Sequence, residues 1–193
     1  MDLHLNDATV HWHRRWLEHA AADALQRDLR AVVPWEVHRI RIFGRQVDSP
    51  RLSCWMGDAD ARYRYSGTDF VPAPWHPALL RLRDCLEAFC RARFNSVLLN
   101  RYRDGEDGMG WHRDSEPELG PAPLIASLSV GAERRFLLRR RDDHARKAEV
   151  LLGHGDLLVM GGGTQSHYQH ALPKTHRPVG ERINLTFRWI HPG

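Results

Sequence analysis

The sequence predicts an α+β fold in which two helices pack on a β-sandwich or jelly roll. Two helical stretches with apolar stripes lie in the first half, at about Arg14 to Ala31 and Pro77 to Arg93. From Ser96 onward the pattern changes to short β-rich runs divided by turns, several of them glycine turns. Runs of helix followed by runs of strand are the signature of segregated α+β packing. The 193 residues, 42% hydrophobic and 27% charged, fit one domain with a sizeable core.

Composition narrows the function. A formal charge of +4 and a pI near 9.3 permit a nucleic-acid partner without demanding one. Cys54, Cys85 and Cys90 are an odd set without a C-x-x-C pair, which reads as reduced thiols and not as a disulfide framework or zinc site. The polar start MDLHLNDATVHWHRRW has no apolar signal region, and no run approaches the ~18 apolar residues that span a bilayer. The expectation is a cytoplasmic protein with no membrane partner.

The first helix places Trp16, Ala20, Leu25 and Leu29 broadly on one side, and Pro34 stops it. His11 and His13, just before it, read as surface histidines because no carboxylate or third ligand follows nearby. Val37 to Ile42 alternates as a strand and Phe43-Gly44-Arg45 closes it as a turn. Phe43 then sits at the tip of a basic hairpin, either tucked under the loop or exposed as a wedge for a base stack. Arg51 to Tyr65 interleaves Trp55, Tyr63 and Tyr65 with Arg51, Arg62 and Arg64. That suits stacking and phosphate contact with flipped bases, and equally an ordinary edge hairpin. Pro72, Pro74 and Pro77 mark a loop. The second helix carries Leu79, Leu82, Leu86 and Phe89 on its buried stripe, with Cys85 and Cys90 as small fillers on or beside it. Strands follow at Ser96 to Tyr102, Leu124 to Val130, Arg134 to Arg139, Ala148 to Leu152, Asp156 to Met160 and Arg182 to Ile190.

The stretch NRYRDGEDGMGWHRD, Asn100 to Asp114, ends in the triplet His112-Arg113-Asp114. In extended backbone His112 and Asp114 project to the same side, which supplies two members of a 2-His-1-carboxylate triad for Fe(II). The third ligand must come from downstream. The candidates are His144, His154, His167, His170 and His176; His144 and His154 lie in loops and read as structural or solvent-facing, and spacing alone does not choose between His167 and His170. In the last strand Arg182, Asn184, Thr186 and Arg188 share one face and Ile183, Leu185 and Phe187 the other. The polar face is either solvated or turned into a barrel, where arginines require an anion such as a dicarboxylate. Asn100 and Tyr102 repeat the pattern and could hydrogen-bond the same ligand.

These residues carry a family resemblance. NRYRDGEDGMGWHRDSEPELG, PLIASLSVGAERRFLLRR, GDLLVMGG, YQHALPK and RINLTFR resemble the AlkB family of nucleic-acid repair dioxygenases, over about Ile40 to Ile190. The resemblance implies a double-stranded β-helix (jelly-roll) core at about 96–190 within a single domain spanning 1–193, with a nucleotide-recognition lid and supporting helix at about 36–95. It implies Fe(II), 2-oxoglutarate as co-substrate, and O2. His112, Asp114 and His170 resemble the iron ligands, His170 because Ala171-Leu172-Pro173 follows it as in the family. Arg182 matches the arginine that grips the distal carboxylate of 2-oxoglutarate, Arg188 the one near its other end, and Asn100, Tyr102 and Asn184 further co-substrate contacts. Glu116 matches an acidic contact to the target base, and Tyr63, Tyr65 and Ser66 the lid beside it.

The activity implied is repair of alkylated DNA by oxidative demethylation of bases such as 1-methyladenine and 3-methylcytosine, with release of formaldehyde, succinate and CO2 by a monomeric enzyme. RNA or tRNA demethylation or hydroxylation is the alternative, and a non-catalytic binding module the third reading. Ile42-Phe43-Gly44-Arg45 resembles the hydrophobic finger of the duplex-DNA-preferring branch, whereas Tyr168-Gln169-His170 resembles the branch favouring single strands and RNA. Both readings of strand preference therefore stand.

Overall fold

The computed structural model describes residues 1–37, 39–42, 45–65 and 68–191, with backbone alone described at 39–42, 45–46, 63–65 and 68–70. The chain opens with β1 (Thr9–His13) and α1 (His19–Val32), then two hairpin strands, β2 (Arg39–Ile42) and β3 (Arg45–Asp48). Next come β4 (Leu52–Gly57), a second hairpin of β5 (Tyr63–Tyr65) and β6 (Thr68–Phe70), and α2 (Pro77–Cys90). The rest is mostly strand: β7 (Ser96–Tyr102), β8 (Met109–His112), β9 (Ile125–Gly131), β10 (Arg134–Arg140), β11 (Lys147–Leu152) and β12 (Leu157–Gly161). A short helix α3 (Thr164–His167) leads into β13 (Tyr168–Leu172), and β14 (Arg182–Arg188) closes the fold.

Ten of these strands form two antiparallel sheets, a six-stranded one in the order β1-β12-β9-β14-β7-β4 and a four-stranded one in the order β11-β10-β13-β8. The expected helices on a jelly roll are what forms. The central strands of the large sheet, β7, β9 and β14, are buried on both faces, for different reasons. Leu99 of β7, Leu128 of β9 and Ile183, Leu185 and Phe187 of β14 point to the side where the helices lie. They pack there with Leu25 and Leu29 of α1 and Leu79, Leu82 and Leu86 of α2. Each such leucine contributes about 1.5–3 kcal/mol on burial. Between the sheets, Ile125, Phe136, Leu138, Val150, Leu152, Leu158 and Met160 form a second apolar cluster. The polar face of β14 looks into that same space. It is buried and not solvated, with Arg182 only 2% exposed.

Several expectations need correction. The first helix begins at His19, not near Arg14, because residues 9–17 do other work. Thr9–His13 pairs with β12 as an unforeseen edge strand, and the Asp156 carboxylate accepts from Trp12 Nε1 (3.0 Å) and the Arg15 amide (2.9 Å). Leu17 N–H then donates to Gly155 O, and a Cβ at Gly155 (φ +82°) would collide with Leu17 O. The second helix starts as read, with Pro77 in its first turn and the His76 ring accepting from the Ala78 amide. It stops at Cys90 because Arg91 turns left-handed (φ 53°). Phe89 is not on the buried stripe: it is 45% exposed and meets His13 and Trp16 edge-on. Cys85 is exposed and fills nothing. The turn with Phe43 and Gly44 lies outside the described residues.

Candidate metal centre

β8 and β13 run side by side, with His112 directly across from His170. Their ring centroids are 4.2 Å apart. Asp114 lies two residues past the end of β8, and the candidate ligand atoms of His112, Asp114 and His170 all fall within 4.8 Å of one another. Spacing left His167 and His170 open, and the geometry brings in His170. His167 ends α3 instead and is exposed.

The protonation states suit metal ligation. His112 Nδ1 lies 2.8 Å from Gly110 O, an acceptor, so Nδ1 carries the proton and the Nε2 lone pair is free. His170 is 5% exposed and stacked on Phe136 at 5.3 Å. Burial, above all, pushes its pKa down to about 3, with His112 and Arg188 adding to the effect against the pull of Asp114. The ring is therefore neutral. Burial alone would raise the Asp114 pKa, but the Arg188 guanidinium, 3.7 Å from Oδ1, leads the neighbouring groups that hold it below the usual carboxylate range. The neutral His170 ring, the His112 Nε2 and one carboxylate form the donor set a 2-His-1-carboxylate site requires.

Among the described residues His19, Asp23 and His154 make a second cluster of the same composition. Its chemistry differs. His154 Nδ1 accepts the Gly131 N–H at 2.8 Å, so Nε2 must carry the proton of the neutral ring, and it faces Asp23 Oδ1 at 3.4 Å. A protonated Nε2 has no lone pair to give, so this group is a hydrogen-bonded tie between α1 and the β11–β12 turn.

A pocket of about 520 Å³, its open mouth included, extends from the triad between the sheets. Leu98, Met109, Phe136, Met160 and Leu172 form its apolar wall, and Asn100, Tyr102, Asn184, Arg182 and Arg188 its polar side. Arg182 donates from Nη1 to Leu152 O (3.2 Å) and from Nη2 to Ser129 Oγ (2.8 Å), while its buried Nε has no partner. Burial first of all lowers its pKa to about 10, Arg134 adds to that, and Tyr102 and Asp156 oppose it. Burial also raises the Tyr102 hydroxyl, against Arg51, Arg182 and Arg134. A buried guanidinium with an unused N–H, beside a neutral phenol, has the chemistry to clamp an anion such as a carboxylate.

The remaining predicted residues fare differently. Asn100 Oδ1 accepts from Arg51 Nε (2.8 Å). Asn184 lines the pocket but spends Nδ2 on Ser127 Oγ and Leu128 O, and its Oδ1 accepts from the Thr186 hydroxyl. Glu116, just past the triad, has a buried Oε2 without a partner. Tyr63 and Tyr65 lie on β5, but their side chains, with Ser66 and Phe43, are outside what the structure describes.

Among the buried polar residues that the sequence reading did not single out, Arg134 and Gln165 bear on the site. Arg134, 3% exposed, donates to Asp104 O, Asp107 O and Pro173 O, tying the loop before β8 to the end of β13. Its signal was present: alternation in β10 puts Arg134 on the same face as Phe136 and Leu138. Gln165 of α3, 2% exposed, accepts the Asp114 amide, and no pattern in the sequence announces it.

Residues 9–188 match the family described as the 2OG-Fe(II) oxygenase superfamily. The chain is 40% identical over 183 residues to the DNA oxidative demethylase ALKBH2 of Mus musculus, covering 90% of this chain and 77% of that protein. The Homo sapiens ALKBH2 is also 40% identical, over 181 residues, with 89% and 69% covered. The alpha-ketoglutarate-dependent dioxygenase alkB homolog 3 of Bos taurus is 39% identical over 180 residues, 89% of this chain and 62% of that one. The structure of OsALKBH1 shares the fold, with a TM-score of 0.65 at 16% identity, covering 93% of this chain and 97% of that one. With the triad, the clamp and the jelly roll in place, these matches make the chain a member of the 2OG-Fe(II) oxygenase superfamily and, within it, of the AlkB family.

Proposed function

We propose that this protein repairs DNA by oxidative demethylation of N-alkylated bases such as 1-methyladenine and 3-methylcytosine, using Fe(II), 2-oxoglutarate and O2. The observation that carries the reading is the orphaned, buried Nε of Arg182 in the same cavity as the His112, Asp114 and His170 ligand set. The donor set fits Fe(II), and the unpaired guanidinium fits a carboxylate of 2-oxoglutarate. The DNA substrate is supported by the relatives, two of which are DNA oxidative demethylases by name.

In this reading His112, Asp114 and His170 hold the metal. Arg182 and Tyr102 receive the distal carboxylate of the co-substrate, Arg188 steadies Asp114 and the metal end, and Asn100 and Asn184 line the co-substrate side. Bound there, Fe(II) supplies the coupled oxidation of an N-methyl group and of 2-oxoglutarate by O2, giving succinate and CO2. The hydroxymethyl left on the base collapses to formaldehyde and the free ring nitrogen. No side chain need act as nucleophile or general base. The chain's own part is orientation and exclusion of water, the latter by Leu98, Met109, Phe136 and Leu172. Glu116, with its unpartnered buried oxygen, suits a base made cationic by methylation. By the family resemblance Tyr63, Tyr65 and Ser66 belong to the lid beside that base, and Phe43 to the wedge that extrudes it. The enzyme works as a monomer in the cytoplasm.

The test is anaerobic loading with Fe(II) and 2-oxoglutarate, then O2 and a single-stranded 3-methylcytosine oligonucleotide, following succinate and oligonucleotide mass. Loss of one methyl with matching succinate is expected. Succinate without demethylation sinks the DNA substrate, and no succinate from metal-loaded protein sinks the enzyme reading. The same lesion in RNA of one sequence, run in parallel, separates DNA repair from RNA demethylation.

A further inference from the structure

Asp114 is the one member of the triad that no strand holds. β8 ends at His112, and its pairing with β13 shifts register between His170 and Leu172. The Asp114 amide is nevertheless buried, and its N–H donates to Gln165 Oε1 at 3.0 Å. That bond fixes the orientation of the Gln165 amide. With Oε1 committed to an N–H, Nε2 must point the other way, where it meets Met160 Sδ at 3.8 Å on the cavity wall.

The support behind Gln165 is rigid. It is the second residue of α3, and the first, Thr164, is 1% exposed and tied at three points. The Thr164 hydroxyl donates to Gly161 O (2.6 Å) at the end of β12 and lies 3.1 Å from Thr9 O, and it accepts from the Thr9 amide (3.2 Å). A chain of contacts therefore runs from β1 through Thr164 and Gln165 to the backbone of Asp114.

We propose that Gln165 is a positioning residue for the metal site: its side-chain oxygen takes the place of the missing strand partner and fixes the peptide that aims the Asp114 carboxylate at the metal. This rests on the reading of His112, Asp114 and His170 as metal ligands. Partners that orient a ligand act on metal affinity, and their loss weakens binding by roughly 10- to 100-fold. Gln165 touches neither the clamp at Arg182 nor the apolar wall beyond Met160, so its effect falls on metal affinity and spares the co-substrate affinity of the metal-loaded protein.

The experiment titrates Mn(II), followed by electron paramagnetic resonance, into metal-free wild type, Gln165→Leu, Gln165→Glu and His112→Ala. Leucine keeps the bulk and removes the acceptor, whereas glutamate keeps an acceptor oxygen at the same reach. The expected result is a Mn(II) Kd raised at least 10-fold in Gln165→Leu and within about threefold of wild type in Gln165→Glu. Equal losses in both variants, or none in a folded Gln165→Leu, would overturn the proposal. Amide hydrogen exchange in wild type gives a second measure that needs no variant to fold. The Asp114 N–H is expected to be protected like a strand amide, and exchange at the rate of an open loop would overturn the proposal equally. His112→Ala keeps the two readings apart. If it binds Mn(II) as wild type does, the ligand assignment itself has failed, whatever Gln165 does.

Discussion

Replacing Arg182 with methionine keeps most of the side-chain length and removes every donor. Two effects of opposite sign act on the empty protein. Burying the guanidinium lowers its pKa from the usual arginine range to about 10, so its charge opposes folding at neutral pH by roughly 3 kcal/mol. Against that stand its hydrogen bonds to Leu152 O and Ser129 Oγ, worth about 1 kcal/mol each, and the packing of its methylenes. The sum is near balance, so the metal-free variant is expected to melt within a few degrees of wild type. Co-substrate binding has no such compensation. A carboxylate drawn into this cavity without its guanidinium costs about 3–5 kcal/mol, which raises the KM for 2-oxoglutarate roughly 10²- to 10⁴-fold. Arg182→Lys, with a point charge and no fork, falls between the two. The assay is succinate formation against 2-oxoglutarate at saturating oligonucleotide, beside thermal unfolding of the metal-free proteins. A folded Arg182→Met with unchanged 2-oxoglutarate dependence would refute the clamp.

Four further outcomes are expected. His112→Ala and Asp114→Ala should each abolish Fe-dependent turnover while circular dichroism stays that of the wild type; full activity in either would remove the triad. Metal-free protein should lose stability as the pH falls below about 6.5. The unfolded chain takes up the His170 proton there, and the folded chain only near pH 3, a loss of about 2 kcal/mol between pH 7 and 5. Asp114, held low, adds to the loss at still lower pH, and denaturant midpoints that stay flat between pH 7 and 5 would contradict a neutral, buried His170. Glu116→Gln should lower kcat/KM about tenfold for cationic lesions and less for neutral ones, as measured on paired oligonucleotides. Phe43→Ala should weaken activity on duplex more than on single strands, and equal losses would return Phe43 to the role of a residue tucked under its loop.

Much of this site is legible in the sequence because it rests on alternation. In β14 and β7 the period of two assigns each side chain to a face of its own strand, so Arg182 groups with Asn184 and Asn100 with Tyr102 on spacing alone, and the pairing of the two strands then sets Arg182 across from Tyr102 and Asn184 across from Asn100. What alternation does not give is which face is covered. The polar side of β14 is buried only because β8, β10, β11 and β13 close over it, and pairings between segments so far apart leave no local trace. The same limit hid the choice between His167 and His170, which depends on His170 standing across from His112. Start signals failed for α1 because Trp12, Arg15 and Leu17 are claimed by Asp156 and Gly155, more than a hundred residues away. Helical periodicity likewise put Phe89 on a stripe that the sheet beneath does not reach, and the ring found His13 and Trp16 instead.

Arg134 and Gln165, neither of them singled out from the sequence, share a task. A metal site with open coordination positions requires its strands to separate at one end, and separated strands leave buried amides and carbonyls without ladder partners. β8 stops at His112, so the Asp114 amide would be orphaned, and Gln165 accepts it. The loop before β8 and the residue after β13 turn carbonyls inward at Asp104, Asp107 and Pro173, and the Arg134 guanidinium takes all three. Each unmade hydrogen bond would cost about 1–3 kcal/mol in such a place, enough to let either arm of the site drift. A neutral amide and a buried cation thus do between them what a regular ladder does elsewhere in the sheet. The mouth stays open for substrate while the carboxylate and the two imidazoles stay aimed at one point.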